Sequence, residues 1–471
     1  MQTKRRFKYP PVAAGILFLL VAPLVSGQFA IPQPAFLTAM VAIVMALWWG
    51  SEALPLEVTS LLPLIALPAY GVTTPGALLL ASIEPGLLVF LGGFVAACAI
   101  DRHSVHRWVL DRIGFLFGRS ARGLLAGIML VTALASMVMS NTTAALIMMP
   151  AALAFASEGS DGTETQGLGA TLALGVAYAA TIGGMVTLIG TPPNILTAAF
   201  LKNALQVEIG FVEWMAISLP ISATLLAASW AVLTVSGSLP KGDVPPAKAS
   251  GHTARPSSRL SSPQRRALLL LALLLAGWLS RPLVNIFLPE TLWNDVTISL
   301  LVAALFWLLP TERGARERLV PLASLASFPF TVLFLFGAGL MLAHGFQASG
   351  LTGWIGTSTG MLAALPGWAI LLCFVLLVSL VTEFISNTAS VAILLPIAAA
   401  LGEGAGLSPV ALALCTAFAA NAAFIMPVAT APNTIAFMTG KLSASYMMRR
   451  GLLLNLIAVA IIAGLIPYIA P

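Results

Sequence analysis

One short stretch occurs twice in this chain. Residues 140–150 read Ser-Asn-Thr-Thr-Ala-Ala-Leu-Ile-Met-Met-Pro, and residues 386–396 read Ser-Asn-Thr-Ala-Ser-Val-Ala-Ile-Leu-Leu-Pro. Each copy has three small polar residues, then an apolar run, then a proline at the same place. The same offset pairs Phe90 with Phe336, Gly93 with Gly339 and Trp108 with Trp354. One offset held at separate places marks an internal duplication. In an apolar chain, a duplication of such long period predicts a transporter made of two repeats, with its site where they meet.

The chain is apolar enough for that reading. It is 59% hydrophobic and only 8% charged, with a mean hydropathy of +0.98, whereas charged residues make up about a quarter of a soluble chain. Many apolar runs reach the roughly 20 residues needed to cross a bilayer core. They are continuously apolar and do not alternate, which excludes a β-barrel. The expected class is therefore an all-α polytopic membrane protein. The start, Lys4-Arg5-Arg6 followed by an apolar run, reads as a retained first helix; a signal peptide would end at a small-residue cleavage site. Cys98, Cys373 and Cys415 all lie inside apolar runs and read as packing residues. His103 and His106 stand near Asp101, but Arg102 and Arg107 crowd the same turn and argue against a metal there.

Spans are expected at 11–30, 36–52, 56–73, 85–101, 168–200, 212–236, 266–288, 292–310, 326–348, 408–440 and 450–469, with re-entrant hairpins at 121–157 and 362–402. That makes eleven crossings plus two hairpins. The corresponding division is a cytoplasmic N-terminus and first helix at 1–35, a first repeat at 36–236, a linker at 237–265 and a second repeat at 266–471. Lys and Arg test the arrangement, because they concentrate in cytoplasmic loops. With the N-terminus inside, all of the 23 basic residues except Lys202 and Arg281 fall on the cytoplasmic side. The repeats are then inverted and the C-terminus is outside. The net charge of +6 belongs to these loops and does not point to nucleic acid. The linker, rich in Pro, Ser, Gly and basic residues, reads as a solvated flexible connector; contact with anionic lipid is its other possible use.

The doubled motif sits in a charge desert. No Lys or Arg occurs between Arg122 and Lys202, or between Arg318 and Lys441. An anion bound there must be neutralised by helix N-termini, hydroxyl and amide donors, and bound cations. Ser140, Asn141 and Thr142, like Ser386, Asn387 and Thr388, are strong helix N-cap types. At a hairpin turn they start the second arm. A second pair of interruptions follows: Gly190-Thr191-Pro192-Pro193-Asn194 and Ala429-Thr430-Ala431-Pro432-Asn433. Proline breaks a continuous helix, and Thr191 before Pro192 reads as a cap followed by the first helical residue. A proline kink would explain one such site; two, each after a Ser-Asn-Thr hairpin, point to unwound backbone lining a cavity. Its carbonyls suit a hard cation such as sodium.

Ser136 lies four residues before Ser140, and Thr382 four before Ser386, so each hairpin stacks two hydroxyls on one helix face beside an Asn. The expected sodium ligands are Ser136, Ser140, Asn141 and Gly190 at one site. At the other they are Thr382, Ile385 through its carbonyl, Asn387 and Ala429. Glu383 is an intramembrane acid beside the second motif and is expected to brace the hairpin. Glu52 and Glu57, at a span junction, are given no substrate role.

At these residues the chain resembles the divalent anion/sodium symporter family, the sodium-coupled carriers of dicarboxylates and citrate. The resemblance rests on both Ser-Asn-Thr motifs and both proline motifs. It is reinforced by Trp48-Trp49, Glu52, the run Pro55-Leu56-Glu57-Val58-Thr59, and Phe90-Leu91-Gly92-Gly93-Phe94. It covers essentially the whole chain. It implies an eleven-span inverted-repeat fold, a homodimer and elevator movement of a transport domain against a scaffold. It also implies substrate carboxylates on both Ser-Asn-Thr motifs, with Thr191, Pro192, Thr430 and Ala431 beside them. Ala431 departs from the family pattern, where a second proline is common. The implied activity is sodium-coupled import of succinate, malate or fumarate across the cytoplasmic membrane. A sulfate or citrate symporter and a dicarboxylate exchanger are the alternatives within the family. A membrane-embedded enzyme would need a cluster of His, Asp or Cys at membrane depth, and the sequence offers none. Against a channel stand the two occluding hairpins.

Overall fold

The computed structural model describes residues 9–51, 53–105, 120–155, 164–236, 239, 260–289, 291–312, 315–328 and 330–470. Glu52, His106, Trp108, the end of the first hairpin at 156–157 and most of the 237–265 linker lie outside the described residues.

The described chain is helical, with an isolated antiparallel bridge joining Pro310 to Arg318. Helices α1 (Tyr9–Val25) and α2 (Gln33–Ser51) come first. A broken segment follows, α3 (Leu56–Thr59) and α4 (Leu62–Ala69), then α5 (Pro75–Ser82) and α6 (Val89–Arg102). The first hairpin is α7 (Ala121–Ser136) and α8 (Asn141–Ala154). A broken helix follows it, α9 (Glu164–Met185) and α10 (Pro192–Leu205), then α11 (Phe211–Ser236). The second half runs α12 (Ser262–Val284), α13 (Asp295–Leu308), α14 (Phe330–Ala348) and α15 (Leu351–Thr359). Its hairpin is α16 (Gly367–Val381) and α17 (Asn387–Ala405), its broken helix α18 (Pro409–Asn421) and α19 (Ala431–Met438), and its last helix α20 (Ala444–Ile469).

Among the described residues eight helices are long and apolar enough to cross a bilayer. The expected crossing at 266–288 is α12; those at 56–73, 292–310 and 408–440 are shorter or broken helices. Hairpin geometry follows from length. At 1.5 Å per residue, the 16 residues of α7 and the 14 of α8 reach only about 24 and 21 Å, short of a hydrocarbon core of about 30 Å. On the periphery, Leu17, Leu20 and Leu24 of α1 point outward as an apolar face suited to lipid. Inside, α9 is apolar all round and completely buried along 168–185. Small residues let it approach its neighbours: a Cβ on Gly183 would run into the backbone of Ala133 in α7.

The two halves interlock. α9 packs on α7 and α8, as α18 packs on α16 and α17. The second half of each broken helix then crosses over: α10 packs on α17 and α18, and α19 on α8 and α9. The two basic residues that escaped the charge rule are both neutralised. Lys202 lies 3.6 Å from the buried Glu84, and Arg281 lies 3.1 Å from Asp295 and 3.8 Å from Glu213. At the span junction, Glu57 takes a hydrogen bond from the Thr331 hydroxyl, tying α3 to α14.

Candidate substrate and cation site

Four helix N-termini converge because of the crossover. Ser140 caps α8 with extended backbone (φ −61°, ψ 145°), and its hydroxyl accepts from Thr143 N at 3.2 Å. Ser386 repeats this on α17, accepting from Ala389 N at 3.2 Å. Thr430 caps α19, accepting from Asn433 N at 3.3 Å. Thr191 stands at the same place before α10, but its hydroxyl makes no capping bond and is buried without a partner. Each terminus presents a partial positive charge. Helices α8, α17 and α19 also offer N–H groups in their first turn, whereas α10 opens on Pro192-Pro193, which carry none, and its Asn194 N bonds the Thr191 carbonyl at 3.2 Å.

All four termini face one cavity of about 560 Å³. Every residue expected to touch substrate lines it: Ser140, Asn141, Thr142, Thr191, Pro192, Ser386, Asn387, Thr388, Thr430 and Ala431. Gly190 and Ala429 line it as well. A stripe of α6 completes the wall, with Phe90, Gly93, Phe94, Ala97, Cys98 and Asp101 at helical spacing. Asp101 is the one charged residue among the described lining, and no Lys or Arg is in it. An anion here is therefore met by helix ends and neutral donors.

Behind each Ser-Asn-Thr turn lies a cluster with more oxygens than protons. Ser136 Oγ is 2.8 Å from Asn141 Oδ1 and 2.6 Å from the Ala180 carbonyl. Thr382 Oγ1 is 2.9 Å from Asn387 Oδ1 and 2.7 Å from the Ala420 carbonyl. A hydroxyl has one proton to give, so with the Asn oxygen turned inward, as here, each cluster gathers three oxygens around one proton. A small hard cation answers that arrangement. Of the other residues expected here, Ser140 turns its oxygen to the cap and to Thr143 Oγ1 at 2.8 Å. Gly190 lies so close to the Gly184 carbonyl that a Cβ would not fit between them. Ile385 stands at the turn with its side chain close to Gly50 of α2. Ala429 donates its N–H to the Met426 carbonyl at 3.2 Å.

The unwound segments are held by side chains. Asn194 Nδ2 reaches the carbonyls of Gly184 at 2.9 Å and Thr187 at 2.7 Å. Asn433 Nδ2 does the same for Ala423 and Met426, both at 3.1 Å. In the second repeat Glu383 adds a brace. Its carboxylate accepts from Ile425 N at 3.0 Å, Met426 N at 2.8 Å and Asn455 Nδ2 at 2.9 Å. Sequence reasoning missed Gly184, Thr143, Asn421 and Asn455. The Gly183-Gly184 pair at the end of an apolar run was the available signal for the first. A Cβ on Gly184 would collide with Asn141 Oδ1. Gly184→Ala is therefore expected to destabilise the protein by about 1–3 kcal/mol through overpacking, seen as a lower unfolding temperature in detergent. An unchanged temperature would show that the cluster is looser than these contacts imply.

A citrate transporter family model matches residues 40–417. The sodium-dependent dicarboxylate transporter SdcS of Staphylococcus saprophyticus is 32% identical over 469 residues, covering 97% of this chain and 90% of the relative. The chain belongs to the divalent anion/sodium symporter family. A second relative of this transporter, SdcS of Staphylococcus aureus strain USA300, is 33% identical over 474 residues, again covering 97% of this chain and 90% of the relative. Two solved structures share its fold. The Alcanivorax borkumensis YdaH transporter aligns with a TM-score of 0.61 at 16% identity, covering 93% of this chain and 100% of that one. The Neisseria gonorrhoeae MtrF structure aligns at 0.62 and 12% identity, covering 97% and 94%. At those identities the likeness concerns architecture alone. The transporter is thus a multi-pass plasma-membrane protein, and its central cavity is the place to look for transported solute.

Proposed function

We propose that the transporter is a sodium-coupled symporter that imports C4-dicarboxylates such as succinate, malate and fumarate. The observation that carries this reading is the pairing of a cavity without basic side chains with two oxygen-rich, proton-poor clusters behind its walls. Two carboxylates can each rest on a pair of helix N-termini, and a cation beside each Ser-Asn-Thr turn supplies the missing positive charge. The first sodium site uses Ser136, Asn141 and the backbone near Gly190; the second uses Thr382, Asn387 and the backbone at Ile385 and Ala429. The sodium dependence and the dicarboxylates in the names of the staphylococcal relatives support the same assignment.

The test is uptake of radiolabelled succinate into proteoliposomes under an inward sodium gradient, with a potassium gradient as control. Unlabelled malate, citrate and sulfate serve as competitors. Sodium-driven uptake blocked best by malate is the expected result. Best block by citrate or sulfate would change the substrate and keep the mechanism. Uptake that ignores sodium and needs internal dicarboxylate would make it an exchanger and remove both cation sites.

The orientation proposed is N-terminus inside and C-terminus outside, with the protein a homodimer moving its hairpins and broken helices as an elevator against the remainder. In that orientation the α6 stripe of the cavity wall runs to Asp101 at the cytoplasmic end of the helix, and the proposed access to the cavity is from inside. Cys98 then reports on access. In a Cys373→Ser background, a thiol reagent confined to the cytoplasmic side should modify Cys98, and sodium plus succinate should slow it severalfold. Faster modification from the outer side would reverse the orientation.

A further inference from the structure

The four helix ends around the cavity follow a two-fold pattern, and among the lining residues that depart from it are two polar side chains. The first is Thr143. Its counterpart in the second hairpin is Ala389, which has no hydroxyl. Thr143 lines the cavity and lies 2.8 Å from Ser140 Oγ. The first hairpin therefore presents a hydroxyl that the second lacks.

The second is Asn421, at the end of α18. Its amide orientation is fixed by its neighbours. Asn194 points its own Nδ2 at backbone carbonyls, so its Oδ1 must face Asn421. Asn421 Nδ2 then donates to Asn194 Oδ1 at 2.9 Å and to the Ala417 carbonyl at 3.0 Å, which uses both of its protons. Flipping the amide would set oxygen against two oxygens. Asn421 Oδ1 is left buried with no donor, on a residue that lines the cavity and is 1% exposed. The counterpart of Asn421 is Thr181, as the paired contacts to the adjacent Ala180 and Ala420 carbonyls establish, and Thr181 is not in the lining.

A plain dicarboxylate is symmetric and offers only acceptors, so it gains nothing from either departure. A substrate with a hydroxyl beside one carboxylate is asymmetric and brings one donor. We propose that Thr143 and Asn421 select for a 2-hydroxy C4-dicarboxylate: Thr143 fixes which carboxylate sits on the first hairpin, and Asn421 Oδ1 accepts from the substrate hydroxyl. This rests on the dicarboxylate reading of the same cavity and names the substrate class within it. A buried acceptor without its donor is costly, and a site that bonds a hydroxyl discriminates strongly against the analogue lacking one.

The experiment compares sodium-driven uptake of succinate, L-malate and D-malate in proteoliposomes for the unaltered protein, Thr143→Ala and Asn421→Ser. The expected result is a kcat/KM ratio of about tenfold or more for one malate enantiomer over succinate. That ratio should fall at least threefold in each variant. Thr143→Ala reproduces the residue present in the second hairpin and leaves the Ser140 cap intact, so it tests the idea even if Asn421→Ser fails to fold. Equal handling of the three acids by the unaltered protein would overturn the proposal, as would a preference that survives Thr143→Ala. A shift in half-saturating sodium on Asn421→Ser with the ratio unmoved would make Asn421 a cation ligand and also overturn it. No sodium-driven uptake of any of the acids would instead bring down the dicarboxylate reading itself.

Discussion

Asn141→Ala and Asn387→Ala are each expected to reduce sodium-driven uptake to near background while leaving the protein folded. Asn141 Oδ1 is one of three oxygens around the single Ser136 proton. Without it, Ser136 still donates to the Ala180 carbonyl, so the fold loses no obligatory bond. The cap also survives, because it is formed by Ser140 and not by Asn141. Alanine is well suited to the first turn of a helix. What disappears is a neutral oxygen with which a cation would replace its hydration. An interaction between an ion and a neutral polar group is worth about 1.5–3 kcal/mol, roughly a tenfold to hundredfold rise in half-saturating sodium. Asn387 stands in the same relation to Thr382 and Ala420. If both cations must bind before the cavity moves, either loss alone stops transport. Sodium titrations of uptake, beside size-exclusion profiles of the purified variants, check this. Uptake by either variant with the wild-type sodium dependence would remove the cation assignment.

The two Asn positions were legible because their chemistry is local. A Ser-Asn-Thr turn after an apolar run declares a helix start, and its repetition with the same flanking proline declares two related sites. The broken helices were legible at Thr191-Pro192 and at Pro432 for the same reason. The crossover was not. Nothing near Pro192 states that α10 will pack on the hairpin of the other repeat, since that depends on how two halves dock after each has formed. The oxygen clusters show the same limit. Ser136 and Asn141 are close in sequence, but the Ala180 carbonyl that completes their cluster belongs to another helix. Gly184 matters because of what approaches it, the Asn141 amide, and a glycine in an apolar run gives no hint of its neighbour. Asn421 looked like any polar residue at a helix end until the hydrogen bonds around Asn194 left its oxygen without a partner.

Glu383→Gln should lower stability by about 2–4 kcal/mol and impair transport, although the side chain keeps its shape. The carboxylate accepts bonds on both oxygens: Ile425 N and Asn455 Nδ2 on one, Met426 N on the other. A glutamine has one acceptor oxygen, so in either orientation its NH₂ group faces an N–H donor. One charge-assisted bond becomes a donor–donor contact, which sets the magnitude. The effect is then passed along the chain. Ile425 and Met426 belong to the unwound stretch between α18 and α19, and the Met426 carbonyl receives both Asn433 Nδ2 and the Ala429 N–H. Loosening Met426 therefore displaces the backbone that lines the cavity at Ala429 and Thr430. Asn455 cannot compensate, because its own oxygen is already held by Phe424 N at 3.1 Å. The first repeat has Met137 where the second has Glu383, and its unwound stretch is held by neutral groups, Trp214 Nε1 on the Met185 carbonyl and Ser218 Oγ on that of Val186. The negative charge is thus not a general requirement of the architecture, and its role here is to fix three donors at once. Thermal unfolding in detergent separates a brace from a cation ligand. A brace predicts a lower Tm for Glu383→Gln in sodium-free buffer. A ligand predicts the opposite sign, because neutralising a buried carboxylate that awaits its ion relieves the empty protein and abolishes the rise in Tm on adding sodium.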